Sequence, residues 1–405
     1  MNHSEISIGD ITEVVTKGTT PSTYGMPFTD SGINFIKAEA LNGDVTLDRN
    51  GFAFVDEKTH EKLKRSQLRV NDVLLTIAGA NVGRCGYVRQ NELPANTNQA
   101  VGIVRVKTDT ANPRYIYYHF KNPSTFSMCQ SIGGGQAAQP NINLTMLKNF
   151  KICLPELDQQ NSIVKVIASY DDLIENNKRR IELLEESARQ LYREWFVRFR
   201  FPGHEHIKII DGVPEEWEKT TLGEVAITNA SSHKAKELPE NINYIDISSV
   251  STGRIEFKNG MCSVDAPGRA RRIAKHGDVI WSNVRPNLKA YALVMHPEES
   301  DVFSTGFTVI AGTKVPFSFL YHFVTTDSFV SHLVNHTTGA SYPAVRPPDF
   351  ERAELLKPTN SLLAQFHETC EPNYELISIL DGQNRQLAKA RDILLPKLMS
   401  GEITV

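Results

Sequence analysis

The chain repeats itself once, and that repeat limits its fold more than any other feature. I-N-F-I-K at 33–37 is answered by I-N-Y-I-D at 242–246, and V-N-D-V-L-L-T at 70–76 by H-G-D-V-I-W-S at 276–282. Farther on, Y-Y-H-F at 117–120 is answered by Y-H-F at 321–323, Q-P-N-I at 139–142 by Y-P-A-V at 342–345, and L-P at 154–155 by K-P at 357–358. The offset is roughly 200 residues, half the chain, and it shrinks slowly, as small loop deletions make it do. So long a period means two copies of one domain rather than a solenoid of short units. At 405 residues the chain also exceeds what one hydrophobic core usually holds.

Within each copy the signals are mixed. S-I-G-D-I at 7–11 and T-L-G-E-V at 221–225 open the two copies. The apolar, β-branched runs from Val70 to Ile77 and from Asp278 to Trp281 are expected to be strands. G-A-N-V-G-R at 79–84 and N-V-R-P-N at 283–287 read as exposed loops, and Gly133, Gly134 and Gly135 as a flexible loop tip. Tyr24, Met26 and Phe28 are expected to pack locally. The fold class is mixed α/β (α+β).

After Pro155 the pattern changes. No proline or glycine occurs from Asp158 to Phe201. Apolar residues recur in steps of four and three: Ile163, Ile167, Tyr170, Ile174, then Ile181, Leu184, Ala188, Leu191 and Trp195, with Asn177 in the polar slot. That is a heptad seam, the signature of a coiled coil, and Pro202-Gly203 is expected to end it. The second copy repeats the seam more weakly as Phe366, Cys370, Asn373, Ile377, Leu380, Asn384, Leu387, Arg391, Leu394 and Leu398. Pro372 is expected to break or kink the early turns, Gly382 to cost about 1 kcal/mol, and Pro396 to disturb the end. If the two helices pair antiparallel, with Trp195 near Phe366 and Ile163 near Leu398, Asn177 falls opposite Asn384. The two amides would then satisfy each other and fix the register; otherwise both lean out to solvent. From Ile163 to Trp195 the rod measures roughly 48 Å, or about 14 base pairs of duplex.

Composition bounds the function. Hydrophobic residues make up 40% and charged residues 22%, ordinary for a globular protein. The start carries no signal-peptide pattern, and no apolar run is long enough to span a membrane. Five scattered cysteines without a C-x-x-C pair argue against a zinc site or disulfide framework and fit a reducing cytoplasm. The net charge of −3 counts mildly against a simple nucleic-acid binder, although binding depends on where charge lies. Catalytic motifs are missing. R-P-P-D-F at 346–350 lacks the Asn or Asp that an amino-methyltransferase loop needs before its prolines, and G-A-N-V-G-R-C at 79–85 lacks the spacing and lysine of a phosphate loop. His204 and His206 are close, but read as a solvated linker, so no metal site is expected.

Three stretches carry a family resemblance: N-N-K-R-R-I-E-L-L-E-E-S-A-R-Q-L-Y-R-E-W-F-V-R-F-R-F-P-G at 176–203, W-E-K-T-T-L-G-E-V at 217–225, and L-L-P-K-L-M-S-G-E-I at 394–403. Their order and spacing resemble the central conserved region, the start of the second recognition domain and the distal conserved region of type I restriction–modification specificity (S) subunits. The resemblance implies target-recognition domains at 1–155 and 203–358, with coiled-coil helices at 156–202 and 359–405. Each domain would read one half of a split double-stranded DNA target, and the helices would fix the gap. Two methyltransferase (M) and two restriction (R) subunits would supply adenine methylation, translocation and cleavage, using S-adenosylmethionine, ATP and magnesium. This subunit would bind no cofactor and carry no catalytic site, and would work in the prokaryotic cytoplasm.

Arg and Asn can bond bidentately to guanine and adenine edges, and loops after strands expose them. The base-contact candidates are therefore Asn81, Arg84, Gln136, Gln139 and Asn141 in the first copy. In the second they are Arg269, Arg271, Arg272, Asn283, Arg285, Asn287, Lys289 and Arg346. Each could equally be an ordinary surface residue. Trp195 and Phe196 either pack in a core or face an M subunit. A stand-alone enzyme is disfavoured by the missing motifs, and a purely protein-binding scaffold by the basic loops.

Overall fold

The computed structural model describes residues 4–42, 46–134, 140–339 and 342–405. The chain forms two compact units, Met1–Asn177 with Gly382–Val405, and Lys178–Asp381.

Each unit builds the same topology. In the first, a four-stranded sheet runs in the order Thr12–Lys17, Val101–Val106, Val73–Thr76, Cys85–Tyr87. A three-stranded sheet of Phe52–Val55, Ile33–Ile36 and Ala95–Thr97 stands beside it, its last pair parallel. In the second unit the four-stranded order is Ala226–Thr228, Phe307–Gly312, Val279–Ser282, Tyr291–Leu293. Its neighbour sheet contains Asn259–Cys262, Asn241–Ile245 and Asp301–Ser304, again with the last pair parallel, plus Ala270–Arg272. A short antiparallel pair ties the start of each copy to its end, Ser4–Ser7 with Lys151–Leu154 and Glu218–Thr221 with Glu354–Lys357. The repeat read from sequence is thus a repeat of folds, mixed α and β in each copy.

The N-D and G-D pairs explain why that motif recurs. Asn71 and Gly277 both adopt left-handed backbone, with φ of 70° and 84°. The next residue, Asp72 or Asp278, then accepts the backbone N–H three residues behind it, at 2.8 Å from Arg69 and 2.7 Å from Lys275. The turn launches the central strand of each sheet, which is shorter than expected in the first copy because Asn71 and Asp72 belong to the turn.

Two long helices follow, Leu157–Tyr192 and Asn360–Ser400. Within the first unit they run antiparallel. Ile163 and Ile167 share a core with Leu395, Leu398 and Met399, and with Tyr115, Tyr118 and Phe120. Within the second, Tyr192, Phe196, Phe366 and Tyr374 join a core that includes Trp217, Trp281 and Phe319.

The heptad reading needs correction. The buried stripe of the first helix and its closing turn runs through Gln160, Ile163, Ile167, Asp171, Ile174, Asn177, Ile181, Ala188, Tyr192 and Phe196, with Ala168 beside it. They follow the straight-helix period of about 3.6, not 3.5, so Tyr170, Leu184, Leu191 and Trp195 are only partly buried. In the second helix the drift buries Tyr374 and Leu395, leaving Asn373, Ile377, Leu387 and Leu394 half-exposed.

The expected break also does not occur. Asn360–Ser400 is continuous through Pro372, Gly382 and Pro396. Pro372 lies on an exposed face, where water can bond the carbonyl that proline leaves without a donor. Space around the Gly382 Cα is open, so the glycine costs only its propensity. The first helix ends before Pro202-Gly203. A single π turn at Arg193–Val197 closes it, and Phe199 turns left-handed at φ 57°. Trp195 and Phe196 pack inward, with ring centroids 5.8 and 4.9 Å from Phe366.

Candidate nucleic-acid interface

In both copies the loop after the central strand is pinned by the segment that follows the paired short helices. In the first unit, Gly79 N–H donates to the Pro140 carbonyl at 3.1 Å and Ile142 N–H to the Ile77 carbonyl at 2.8 Å. In the second, Arg285 N–H donates to the Pro343 carbonyl at 2.8 Å and Val345 N–H to the Asn283 carbonyl at 2.9 Å. Two of the sequence repeats, separated by dozens of residues, therefore form one edge in each copy.

On the second unit this edge gathers four segments. Thr305 N–H donates to the Arg269 carbonyl at 2.7 Å, and Asn283 N–H to the Gly306 carbonyl at 2.8 Å. Arg269, Arg285 and Arg346, on segments joined by these bonds and the Val345 bond, have exposed side chains. Arg285 takes the left-handed conformation at φ 50° and lays its guanidinium 5.3 Å from the ring centroid of Tyr342, which is 71% exposed. A cation stacked on an exposed aromatic is a platform for a planar, electron-rich partner. Asn287 is also exposed.

Other candidates are committed to the fold. The Asn283 amide donates to the Thr305 carbonyl at 3.4 Å and accepts from Thr308 Oγ1 at 2.7 Å, so both ends hold the turn. Arg271 donates to its neighbour's carbonyl at 2.6 Å, and Arg272 donates to Ser232 Oγ at 3.0 Å. Both are half-buried, and desolvation holds the Arg272 guanidinium below its ordinary pKa. Lys289 pairs with Asp327 at 2.8 Å, which cancels its charge locally.

In the first unit Arg84 and Asn141 are exposed, while Asn81 is half-buried in the turn that accepts the Arg84 N–H. Gln136, Gln139 and Gly135 lie outside the described residues. Gly133 is a buried helix end, whose carbonyl accepts the Asn141 N–H at 2.8 Å, not a free loop tip. Phe28 packs edge-on against Phe35, and Tyr24 carries Lys62 over its ring. His204 donates from Nδ1 to the Phe201 carbonyl at 2.8 Å.

Sequence reasoning missed Tyr342 and Thr305. Tyr342 stood inside the Y-P-A-V repeat, so the repeat itself was the available signal. Thr305 occupies the turn between Asp301–Ser304 and Phe307–Gly312, and nothing in its local sequence marks it.

Fold and edge together define a class: a duplicated α/β binding module, each copy anchored on segments of two long helices. Residues 2–186 match the family described as "Type I restriction modification DNA specificity domain". The type I restriction enzyme MjaIX specificity subunit of Methanocaldococcus jannaschii is 27% identical, over 98% of this chain and 93% of that one. The EcoBI specificity subunit of Escherichia coli is 31% identical over a shorter stretch, 38% of this chain and 33% of that one. A crystal structure of the S subunit from M. genitalium shares the fold at a TM-score of 0.59 and 15% identity, covering 98% of this chain and 96% of that one. The first half of the chain thus carries the DNA specificity domain of type I restriction–modification systems, and nearly the whole chain is similar to specificity subunits of that class. No helix among the described residues is long and apolar enough to cross a membrane.

Proposed function

We propose that the chain selects a split DNA target, each recognition domain (1–155 and 203–358) reading one half and the helices (156–202 and 359–405) setting the gap. Tying the two readers together makes the second contact intramolecular, so a lone half-site binds poorly. The observation that carries this reading is the shared edge. Each copy displays exposed arginine or asparagine on the same edge, Arg84 on the pinned loop and Asn141 on the pinning segment in one, Arg285 and Arg346 in the other. Arg285 is the principal base contact, and Arg269 and Asn287 support it.

In this reading two M and two R subunits bring S-adenosylmethionine, ATP and magnesium, and this subunit supplies only the address, in the prokaryotic cytoplasm. The test is to map methylated adenines in a genome carrying the chain with its M partner. A two-part motif with a fixed gap is expected. Methylation with no such motif would overturn the reading.

A further inference from the structure

We propose that His276, His296 and Glu375 form a binding site for a divalent transition metal of the zinc class. The three come from separate segments of the second unit. His276 stands in the turn before Val279–Ser282, His296 follows the strand Tyr291–Leu293, and Glu375 lies on the helix Asn360–Ser400. No local motif links them, which is why the sequence scan found no metal site.

The donors already converge. His296 Nε2 lies 2.7 Å from Glu375 Oε2, and His276 Nε2 lies 3.9 Å from Oε1 of the same carboxylate. One ligand atom from each residue lies within 4.8 Å of the others. Zinc bonds of about 2.0–2.2 Å set tetrahedral donors roughly 3.3 Å apart. The observed separations bracket that value, and the exposed imidazoles and half-buried carboxylate can close the remainder. The geometry is partly fixed in advance. Phe317 meets the His276 ring edge-on at 5.6 Å. His296 is held in left-handed backbone at φ 46°, which brings its ring 4.6 Å from that of His276.

Two imidazoles and one carboxylate suit zinc, cobalt or nickel rather than magnesium or calcium, which demand oxygen. Three protein donors leave a fourth position to water, so the ion should exchange rather than be locked in. Ligation through His276 Nε2 puts the proton on Nδ1 and costs the hydrogen bond that Nδ1 accepts from His296 N–H. At 3.4 Å that is a long, weak hydrogen bond. A bound ion would clamp the hairpin end at His296 onto the long helix at Glu375.

Metal-free full-length chain would be titrated with Co2+ and followed by visible absorption. One saturable equivalent is expected, with weak d–d bands and no strong thiolate charge-transfer band. His296→Ala and Glu375→Gln should each weaken binding by about tenfold or more, with tryptophan emission unchanged. Zn2+ should raise the Tm of the wild type but not of either variant. The proposal fails if no saturable binding occurs below about 1 mM, or if both variants bind as the wild type does. A thiolate band that Cys153→Ser removes would likewise overturn it.

Discussion

Asn177 donates its side-chain N–H to Oδ1 of Asn384 at 3.0 Å, one amide on each long helix. Asn177 is 3% exposed and Asn384 half-buried, so the bond satisfies an amide that water does not reach on the first helix. Removing Asn384 leaves the buried Asn177 amide underbonded, which costs about 1–3 kcal/mol, and removing Asn177 costs less because water reaches Asn384. Asn177→Leu or Asn384→Leu should therefore speed hydrogen exchange in peptides from the start of the first helix. The double leucine variant should recover stability, because it buries apolar surface without an orphan group. A double variant less stable than both singles would show that the pair is worth more than its register.

One and a half turns away lies a heavier polar commitment. Asp171 is buried, accepts from Tyr118 at 2.7 Å and pairs with Arg391 at 2.7 Å across the two helices. Asp171→Leu leaves the buried Arg391 guanidinium with Asp392 alone, at 2.9 Å, and should destabilise the first unit by about 2–4 kcal/mol. Adding Arg391→Leu should return most of that loss, and Tyr118→Phe alone should cost about 1 kcal/mol. Urea unfolding of the three variants, read by hydrogen exchange in the first unit, checks the order.

Each unit also holds a histidine at the same place in the repeat, His322 buried and His119 half-buried. Burial pushes the His119 pKa down to about 4 and the His322 pKa down to about 3. Below pH 6.5 the unfolded chain takes up a proton at each ring while the folded chain does not. Stability is thus full above pH 6.5 and falls as the pH drops toward these lowered values, by about 2 kcal/mol per histidine at pH 5. All three tryptophans, Trp195, Trp217 and Trp281, lie in the second unit, so their emission isolates His322. His322→Gln should flatten the pH dependence of the urea midpoint read by tryptophan between pH 7 and 5. It should leave that of the first unit unchanged.

The duplication, the two helices and the Asn177–Asn384 contact were legible because each rests on periodicity or on offset. Asp171 was not, since a heptad grid assigns the seam to Tyr170 and cannot anticipate a buried carboxylate matched by a residue far along the chain. The continuity through Pro372 was hidden for a similar reason: local propensity opposes it and tertiary packing overrides it. At the candidate edge, residue type picked out Arg285, whose side chain is exposed. It could not tell that Asn283, of equally suitable chemistry, spends both ends of its amide on Thr305 and Thr308.

Gly277 offers a test of the turn that starts each central strand. Its φ of 84° disfavours any Cβ, and an added Cβ would meet the Phe317 ring at 3.1 Å. Gly277→Ala should cost about 1–2 kcal/mol from the left-handed backbone alone, and more if the ring cannot shift. Asn71 holds the equivalent position in the first copy, so Asn71→Gly should be tolerated to within about 1 kcal/mol while Asn71→Val is not.

Arg285 stacked on Tyr342 gives the functional prediction its sharpest form. Arg285→Ala should relax one base position in one half of the methylated motif, at a cost of about 1–3 kcal/mol in binding. Arg285→Lys keeps the charge but loses the planar fork, so it should retain the salt-dependent part of binding and lose the same discrimination. Tyr342→Ala should act in the same half, because it removes the ring under the guanidinium. Methylome mapping of the three variants with the wild-type M partner reads all of this at once. Relaxed positions in both halves, or an unchanged motif, would remove Arg285 from the reading surface.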